Sequence, residues 1–236
     1  MNLKNEFNKL KTKMAFTLAE VLITLVVIGV IAAITVPVLM SKYEKHVQYT
    51  AFMKAYNTVT NALELTRVQT GFPDSWTFEE HGDADALKSY IYPYLKIAQI
   101  CEESGASDCF TPYNLKVLSG AEMGTSTGPF AGNEKTVILQ DGTILGFTLD
   151  SDEVDFYYDT NGPKGPNTIG RDIFIMLYVL WPDGKWNWAS KGLFEKFGIS
   201  NSTSAILAPS QCDPSNSDAM GFSCVERLLK DGKMNY

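Results

Sequence analysis

Residues 16–40 read FTLAEVLITLVVIGVIAAITVPVLM, and this stretch decides the fold. Residues 21–40 hold 20 positions without one charge, which is enough for a helix to cross a hydrocarbon core roughly 30 Å thick. We therefore predict that one helix anchors the chain in a membrane. Glu20 is the only charged residue in the stretch, and a charge at bilayer depth costs about 3 kcal/mol unless it finds a partner. A lone carboxylate at this place indicates a functional role.

Residues 13–22 read KMAFTLAEVL and resemble the type IV prepilin signal, which type IV pilins, type II secretion pseudopilins and DNA-uptake pilins share. The resemblance implies that a prepilin peptidase cuts between Ala15 and Phe16 and methylates the new amino group of Phe16. It also implies that Glu20 guides filament assembly. The expected partners are this peptidase, copies of the chain or other pilin-like subunits, an inner-membrane assembly platform and the lipid bilayer. The resemblance covers about the first 55 residues well and the remainder loosely.

Elementary electrostatics agrees with that role for Glu20. Cleavage leaves a positive amino group on Phe16, and this group attracts Glu20 of an incoming subunit, so that two charges in apolar surroundings neutralise each other. Glu20 also lies in the first turn of the predicted helix, where the helix dipole favours a negative side chain by about 0.3–1 kcal/mol. The alternative interpretation is an ordinary signal anchor in which the Glu20 side chain reaches out to the membrane surface.

Charges on the two sides of the apolar stretch predict its orientation. Residues 1–15 hold four lysines and one glutamate, whereas the opposite flank holds Lys42 and Lys45. The more basic leader should stay in the cytoplasm. The head should then lie outside, in a single-pass protein of the inner (cytoplasmic) membrane that becomes part of a periplasmic or surface filament. Loss of the leader removes a net charge of +3 and takes the chain from −7 to −10, which argues against nucleic acid as a partner.

We expect four segments along the 236 residues. Residues 1–15 form the prepilin leader, residues 16–40 the transmembrane and assembly helix, residues 41–70 its amphipathic continuation, and residues 71–236 a globular α+β head. The continuation is predicted from an apolar face at helical spacing that consists of Val47, Ala51, Phe52, Ala55, Tyr56, Val59, Ala62 and Leu63.

The head is predicted to hold a short helix followed by strands. The helix should begin near Asp83 or Asp85, and at Pro93 it either breaks or opens a further turn. Strand patterns begin after Asn114 and include two hairpins, over residues 137–149 and 173–189, whose Asp-Gly turns supply the positive φ angles that tight turns need. The predicted fold class is α+β: a long N-terminal helix, transmembrane in its first half, packed against an antiparallel sheet, as in pilins.

Four cysteines lie in the part that is predicted to be exported, where oxidation is favoured. We prefer the pairs Cys101 with Cys109 and Cys212 with Cys224, because each closes a short loop rich in serine and aspartate. A zinc ion held by all four thiolates is the alternative, although no Cys-x-x-Cys spacing supports it.

One internal loop is a candidate calcium site. Residues 159–172 read DTNGPKGPNTIGRD, and their alternating oxygen donors around a glycine turn suit a cation that takes six to eight oxygen ligands. The predicted ligands are Asp159, Asn161 and Asp172. The stretch also resembles the calcium loop of major type II secretion pseudopilins. The alternative is a polar turn in which Asp159 and Asn161 hydrogen-bond their own backbone.

The sequence offers little for an enzyme. Its two histidines, His46 and His81, exclude a three-histidine metal site, and no nucleophile or phosphate-binding motif is present. We therefore predict a non-enzymatic structural subunit of a type IV pilus-like filament, most simply a type II secretion pseudopilin or pilin-like protein. The alternatives are a DNA-uptake pilin, or a membrane-anchored surface adhesin or glycan-binding protein that uses Trp181, Trp186 and Trp188 as a stacking platform, although plain packing is the commoner role of such residues.

Overall fold

The computed structural model describes residues 17–71, 75, 84–101, 109, 114–124, 135–149, 153–190, 205 and 207–236. The chain divides into two compact units, residues 1–44 and residues 45–236. The long helix α1, Leu18–Thr70, supplies residues to both units and continues through Pro37. The predicted continuation of the apolar helix beyond residue 40 is therefore present.

In the first unit, α1 exposes its apolar side chains. Leu18, Ile34 and Leu39 are 79%, 67% and 70% exposed, and none of the most apolar window of the helix is buried. The helix is long and apolar enough to span a membrane.

In the second unit, one face of α1 is buried. Thr66 is the polar member of this face, and its hydroxyl donates to the carbonyls of Ala62 (2.8 Å) and Tyr90 (2.6 Å). Val47, which was predicted to belong to the face, is 45% exposed. The buried face consists of Phe52, Ala55, Val59, Ala62, Leu63 and Thr66.

A six-stranded antiparallel sheet forms the centre of the second unit, with strand order β1-β4-β5-β6-β7-β8. Two further strands, β2 and β3, pair with each other. The strands are β1 Ile97–Cys101, β2 Leu115–Lys116, β3 Glu122–Gly124, β4 Lys135–Leu139, β5 Ile144–Leu149, β6 Glu153–Asp159, β7 Ile173–Leu180 and β8 Trp186–Trp188. The described chain thus has the predicted fold class, a long apolar N-terminal helix packed with an antiparallel sheet.

Both predicted hairpins are present. The turn between β4 and β5 contains Gly142 at φ +88°, and Asp141 accepts a hydrogen bond from the Thr143 N–H at 3.0 Å. Asp141 also pairs with Lys54 of α1 at 2.7 Å. Burial raises the pKa of Asp141, but the bonds from Lys54 and Thr143 outweigh it and lower the pKa below its usual value. The turn of the first hairpin is thereby tied to the helix.

Aromatic rings join α1 to the sheet. Phe52 is fully buried, and its ring centroid lies 4.6 Å from that of Phe174 in β7. Tyr56, one turn further along α1, lies 5.9 Å from Trp188 in β8. Since side chains alternate along a strand, Phe174, Met176 and Tyr178 face the helix while Ile175 and Leu177 face away from it.

One part of the head agrees with the prediction and the next part differs from it. The short helix α2, Ala84–Tyr90, begins where expected, and Pro93 opens a 3₁₀ turn over Tyr92–Tyr94. The chain then enters β1, whereas strands were predicted only after Asn114. The segment IAQIC shows no clean alternation, and its exposed residues mark it as an edge strand, which explains why the period-2 signal failed.

Both preferred disulfides are present and the zinc alternative is wrong. Cys101 pairs with Cys109 and Cys212 with Cys224, with Cα atoms 5.6 Å and 4.9 Å apart. The second bridge holds the tail to the start of the last helix, α3, Cys224–Asp231. The tail also docks through its final residue, because the Tyr236 hydroxyl donates to the Gly170 carbonyl at 2.6 Å.

The substitution Phe52→Ala tests the helix–sheet contact. Removing this buried ring should lower the free energy of unfolding by about 3–5 kcal/mol, because the contact with Phe174 is lost and a cavity remains. Urea denaturation of the full chain in detergent, followed by tryptophan fluorescence, measures the change. Leu65→Ala on the same helix is the control: Leu65 is 50% exposed, so its effect should be about 0.5 kcal/mol or less. Equal effects of the two changes would contradict this packing.

Candidate functional site

The start of α1 is closed by a reciprocal pair of side chains. Glu20 accepts hydrogen bonds through Oε2 from the Thr17 N–H (2.8 Å) and from the Thr17 hydroxyl (2.9 Å). In return, the Glu20 N–H donates to the Thr17 hydroxyl oxygen at 3.2 Å. This is a capping box, in which the residue before the helix and the third residue within it satisfy each other's backbone donors.

The capping box fixes the position of the Glu20 carboxylate. Because Oε2 bonds the backbone N–H of Thr17, the carboxylate lies on the N-terminal side of its own helix turn, toward the predicted cleavage point. Ala15 and Phe16 themselves lie outside the described residues. Sequence reasoning recognised Glu20 but missed Thr17. The spacing Thr17-Leu18-Ala19-Glu20 is the T-x-x-E signature of a capping box and was the signal that could have identified it.

Glu20 is followed by an apolar surface that the first unit leaves uncovered. Within the described part of the chain, no other Asp, Glu, Lys or Arg occurs between Thr17 and Ser41. A Cβ added at Gly29 would meet no atom within 4 Å, so no described residue lies against the helix at this small residue. Such a surface is stable only against lipid or against the apolar surface of another protein.

The predicted calcium ligands lie in the connection between β6 and β7. Asp159 ends β6 and pairs in register with Ile173 at the start of β7, so that Asp159 and Asp172 are held close to the same end of the hairpin. Both carboxylates belong to fully buried residues, whereas Asn161 is exposed. The structure therefore places the three residues in one loop.

Backbone N–H groups already occupy these carboxylates. Asp159 accepts from the Asn161 N–H at 3.1 Å, and Asp172 accepts from the Asn167 N–H (2.8 Å) and the Thr168 N–H (2.7 Å) through separate oxygens. Among the described residues, no three His, Cys, Asp or Glu side chains form a group able to hold a metal ion. This geometry is that of the hydrogen-bonded polar turn, and calcium binding stays a prediction.

The electrostatics of Asp172 follow from the same loop. Burial raises the pKa of Asp172 above its usual value of 3.8, although hydrogen bonds from the backbone of Thr168 and Asn167 and from the Asn161 side chain act in the opposite direction. A bound cation would favour the ionised form. In the structure, the effect of burial on the pKa of Asp172 is larger than that of the hydrogen bonds, so the pKa is raised.

The tryptophans of the second hairpin are packing residues. Trp181 and Trp186 are only 3% and 7% exposed. Trp188 contacts Tyr56, Phe156 and Tyr178, with ring centroids 5.9, 5.6 and 5.0 Å away. A stacking platform needs exposed ring faces, which these two buried rings do not offer. His46 is exposed on α1, and His81 lies outside the described residues.

The substitution Asp172→Asn tests how burial and hydrogen bonding of this carboxylate affect the stability of the protein. Asparagine offers one acceptor oxygen to two backbone donors, so one buried N–H loses its partner and the free energy of unfolding should fall by about 1–3 kcal/mol near neutral pH. The pH dependence has a defined sign: because the folded-state pKa is raised, the wild-type chain loses stability as pH rises from 3.8 through the folded pKa. The variant should lack this decline. Thermal melts across the acid range measure both effects, and an unchanged pH profile would contradict them.

Comparisons of this chain with family models, with curated proteins and with solved structures found no match. No family is assigned on that basis, and the function is inferred from the residues and contacts described above.

Proposed function

We propose that the protein is a structural subunit of a type IV pilus-like filament, in the class of the type II secretion pseudopilins and pilin-like proteins. The subunit waits in the inner membrane with its head outside the cytoplasm. A prepilin peptidase removes residues 1–15 and methylates Phe16. An inner-membrane assembly platform then transfers the subunit from lipid into a filament made of copies of the chain or of related subunits.

A single observation carries the proposal: Glu20 is a lone carboxylate, held by a capping box, at the beginning of an uncovered apolar helix. Thr17 gives this carboxylate two hydrogen bonds but no positive charge. The amino group that cleavage creates on Phe16 of a neighbouring subunit would supply that charge, and hydrogen bonds between two ionised groups are stronger than neutral ones.

The apolar surface supports the same mechanism. In the bilayer, lipid covers residues 21–40, and in a filament the corresponding helices of neighbouring subunits cover them. The two environments are similarly apolar, so the exchange costs little. The head, whose own core and disulfides hold it together, keeps its structure during the transfer.

The adhesin and glycan-binding alternative has no supporting observation in the described residues. Its only basis in the sequence was the group of tryptophans on the second hairpin, and two of these are buried. The chain's acidity, at a net charge of −7, likewise gives no support to direct DNA binding.

Processing can be checked on protein isolated from its own host. Mass spectrometry should find an N-terminal peptide that begins at Phe16 and carries one added methyl group, because the prepilin signal places the cut after Ala15. A chain that retains Met1 would contradict the proposed processing. A cut beyond residue 40 would show a secretory signal instead of an assembly helix.

Assembly can be tested with Glu20→Gln. Glutamine keeps an oxygen for the Thr17 N–H but removes the charge, so the helix start is preserved while the attraction to a neighbouring amino group is lost. We expect normal membrane insertion, measured by fractionation, and loss or strong reduction of filaments, counted by electron microscopy.

Glu44→Gln is the matched control, because it makes the same chemical change on an exposed residue of the same helix. This control should form filaments at the wild-type level. Normal filaments from Glu20→Gln would remove the assembly role of the carboxylate. Failure of both variants would point to a general loss of stability.

A further inference from the structure

The end of the chain packs on the connection between β6 and β7, a contact that the proposed function does not use. We call residues 160–172 the β6–β7 loop and residues 207–236 the tail, and the structure describes both completely. The Cys212–Cys224 disulfide closes the tail on itself. We propose that this disulfide is a redox-controlled latch: the oxidised tail holds the β6–β7 loop closed, and the tail with two thiols releases it.

The tail and the loop touch at two glycines. A Cβ added at Gly170 of the loop would lie 2.8 Å from the Cys224 Sγ and 3.2 Å from the Gly221 Cα. A Cβ added at Gly221 of the tail would collide with the Ile169 carbonyl group. Only glycine permits backbones to approach this closely. The loop therefore lies directly against one sulfur atom of the disulfide.

The last residue of the tail binds the same point of the loop. The Tyr236 hydroxyl donates to the Gly170 carbonyl at 2.6 Å. Arg227 connects this residue to the disulfide, because its guanidinium lies over the Tyr236 ring, 5.1 Å from the centroid, and its Nη1 donates to the Cys212 carbonyl at 2.6 Å. A continuous set of contacts thus runs from the disulfide to the loop.

Release of the tail would uncover buried groups of the loop. Ile169 is fully buried in a cluster with Ile173, and Phe222 of the tail packs against that cluster. Asp172 is also fully buried and accepts the Thr168 N–H at 2.7 Å. Water that reaches these groups competes for the hydrogen bond and weakens the apolar contact. The β6–β7 loop should therefore open more easily without the latch.

Thiol–disulfide exchange sets the latch. The thiols of Cys212 and Cys224 give two electrons and two protons to the disulfide of an oxidising protein, so that one sulfur–sulfur bond forms in the tail while the oxidising protein's disulfide becomes two thiols. A dithiol reductant reverses the reaction, and its own two thiols then become a disulfide.

The closed loop also protects the latch. Cys212 and Cys224 are both 0% exposed, whereas Cys109 of the other disulfide is partly exposed. Exchange requires direct attack of a thiolate on a sulfur atom, so a reagent reaches the latch only when the tail and the loop separate. Oxidation therefore comes before closure of the loop, and closure then keeps the tail oxidised.

The first experiment measures how fast each disulfide is reduced. The purified full chain in detergent is treated with dithiothreitol, and the thiols are alkylated and counted by mass spectrometry over time. Because reduction of a buried bridge needs local opening, we expect Cys212–Cys224 to react roughly tenfold more slowly than Cys101–Cys109. Equal rates would overturn the proposal.

Gly170→Ala tests the contact between the loop and the sulfur atom. It should speed reduction of Cys212–Cys224 several-fold and leave Cys101–Cys109 unchanged. Gly142→Ala is the matched control, because Gly142 has nearly the same φ, +88° against +86°, but an added Cβ there meets no atom within 4 Å. Tyr236→Phe, which removes only the hydroxyl, should act in the same direction as Gly170→Ala. Equal effects of Gly142→Ala and Gly170→Ala would contradict the latch.

The second experiment measures the loop itself. Trypsin cuts after Lys164 and Arg171, and cleavage follows the population of the open loop, so the double variant Cys212→Ser/Cys224→Ser should be cut there roughly tenfold faster than the oxidised wild type. The matched variant Cys101→Ser/Cys109→Ser should be cut at the wild-type rate. Tryptophan fluorescence checks that both variants remain folded.

Unchanged cleavage without Cys212–Cys224 would show that the disulfide does not hold the loop and would overturn the proposal. Equal acceleration in the two double variants would show a general loss of stability and overturn it as well. Both experiments are independent of the proposed filament, because neither measures processing or assembly.

Discussion

The uncovered apolar surface of α1, residues 21–40, is the constraint on which the rest of the protein depends. A helix with this many exposed apolar side chains cannot remain in water, so some other apolar phase must cover it. Among the described residues of the first unit, none of the most apolar window of the helix is buried. The helix is long and apolar enough to span a membrane, and in the proposed filament the helices of neighbouring subunits would cover the same surface.

The second half of the same helix packs against the sheet of the head. From Phe52 to Thr66, α1 buries only one face, and the aromatic side chains of β7 and β8 complete that face. Thr66 also joins α1 to α2, because its hydroxyl donates to the Tyr90 carbonyl, the last of α2, as well as to the Ala62 carbonyl of its own helix. The hairpin turn at Asp141 is fixed by Lys54 of α1. The first half of α1 thus presents an exposed apolar surface, and one face of its second half packs in the hydrophobic core.

The features that the sequence predicted correctly are those set by local chemistry. The apolar run and its helical spacing predicted α1, and the Asp-Gly dipeptides predicted both hairpins, because few other residues adopt the φ angles of those turns. The short, serine-rich loops suggested the two disulfides. Features that depend on distant contacts were not predictable. Strand β1 exists because β4 pairs with it, and the docking of Tyr236 on Gly170 joins residues that are far apart in the chain. The capping box at Thr17 depends only on local spacing, so the T-x-x-E pattern of the sequence is sufficient to predict it.

In the proposed filament Glu20 has a large effect for a single side chain, because the apolar residues of the helix hardly favour a helix bundle over lipid or one axial register over another. Lipid tails are as apolar as leucine side chains, so moving residues 21–40 from a bilayer to a bundle of helices yields little hydrophobic energy. Close packing beside small residues such as Gly29 contributes, but it does not by itself fix the axial position of one helix against the next. A single charged group at a defined height can fix the axial position of the helix, because only one register brings Glu20 to an opposite charge. Every other register leaves the carboxylate unpaired in apolar surroundings, at a cost of about 3 kcal/mol. In the proposed filament the capping box adds to this selection, since it holds the carboxylate in one place before any partner arrives.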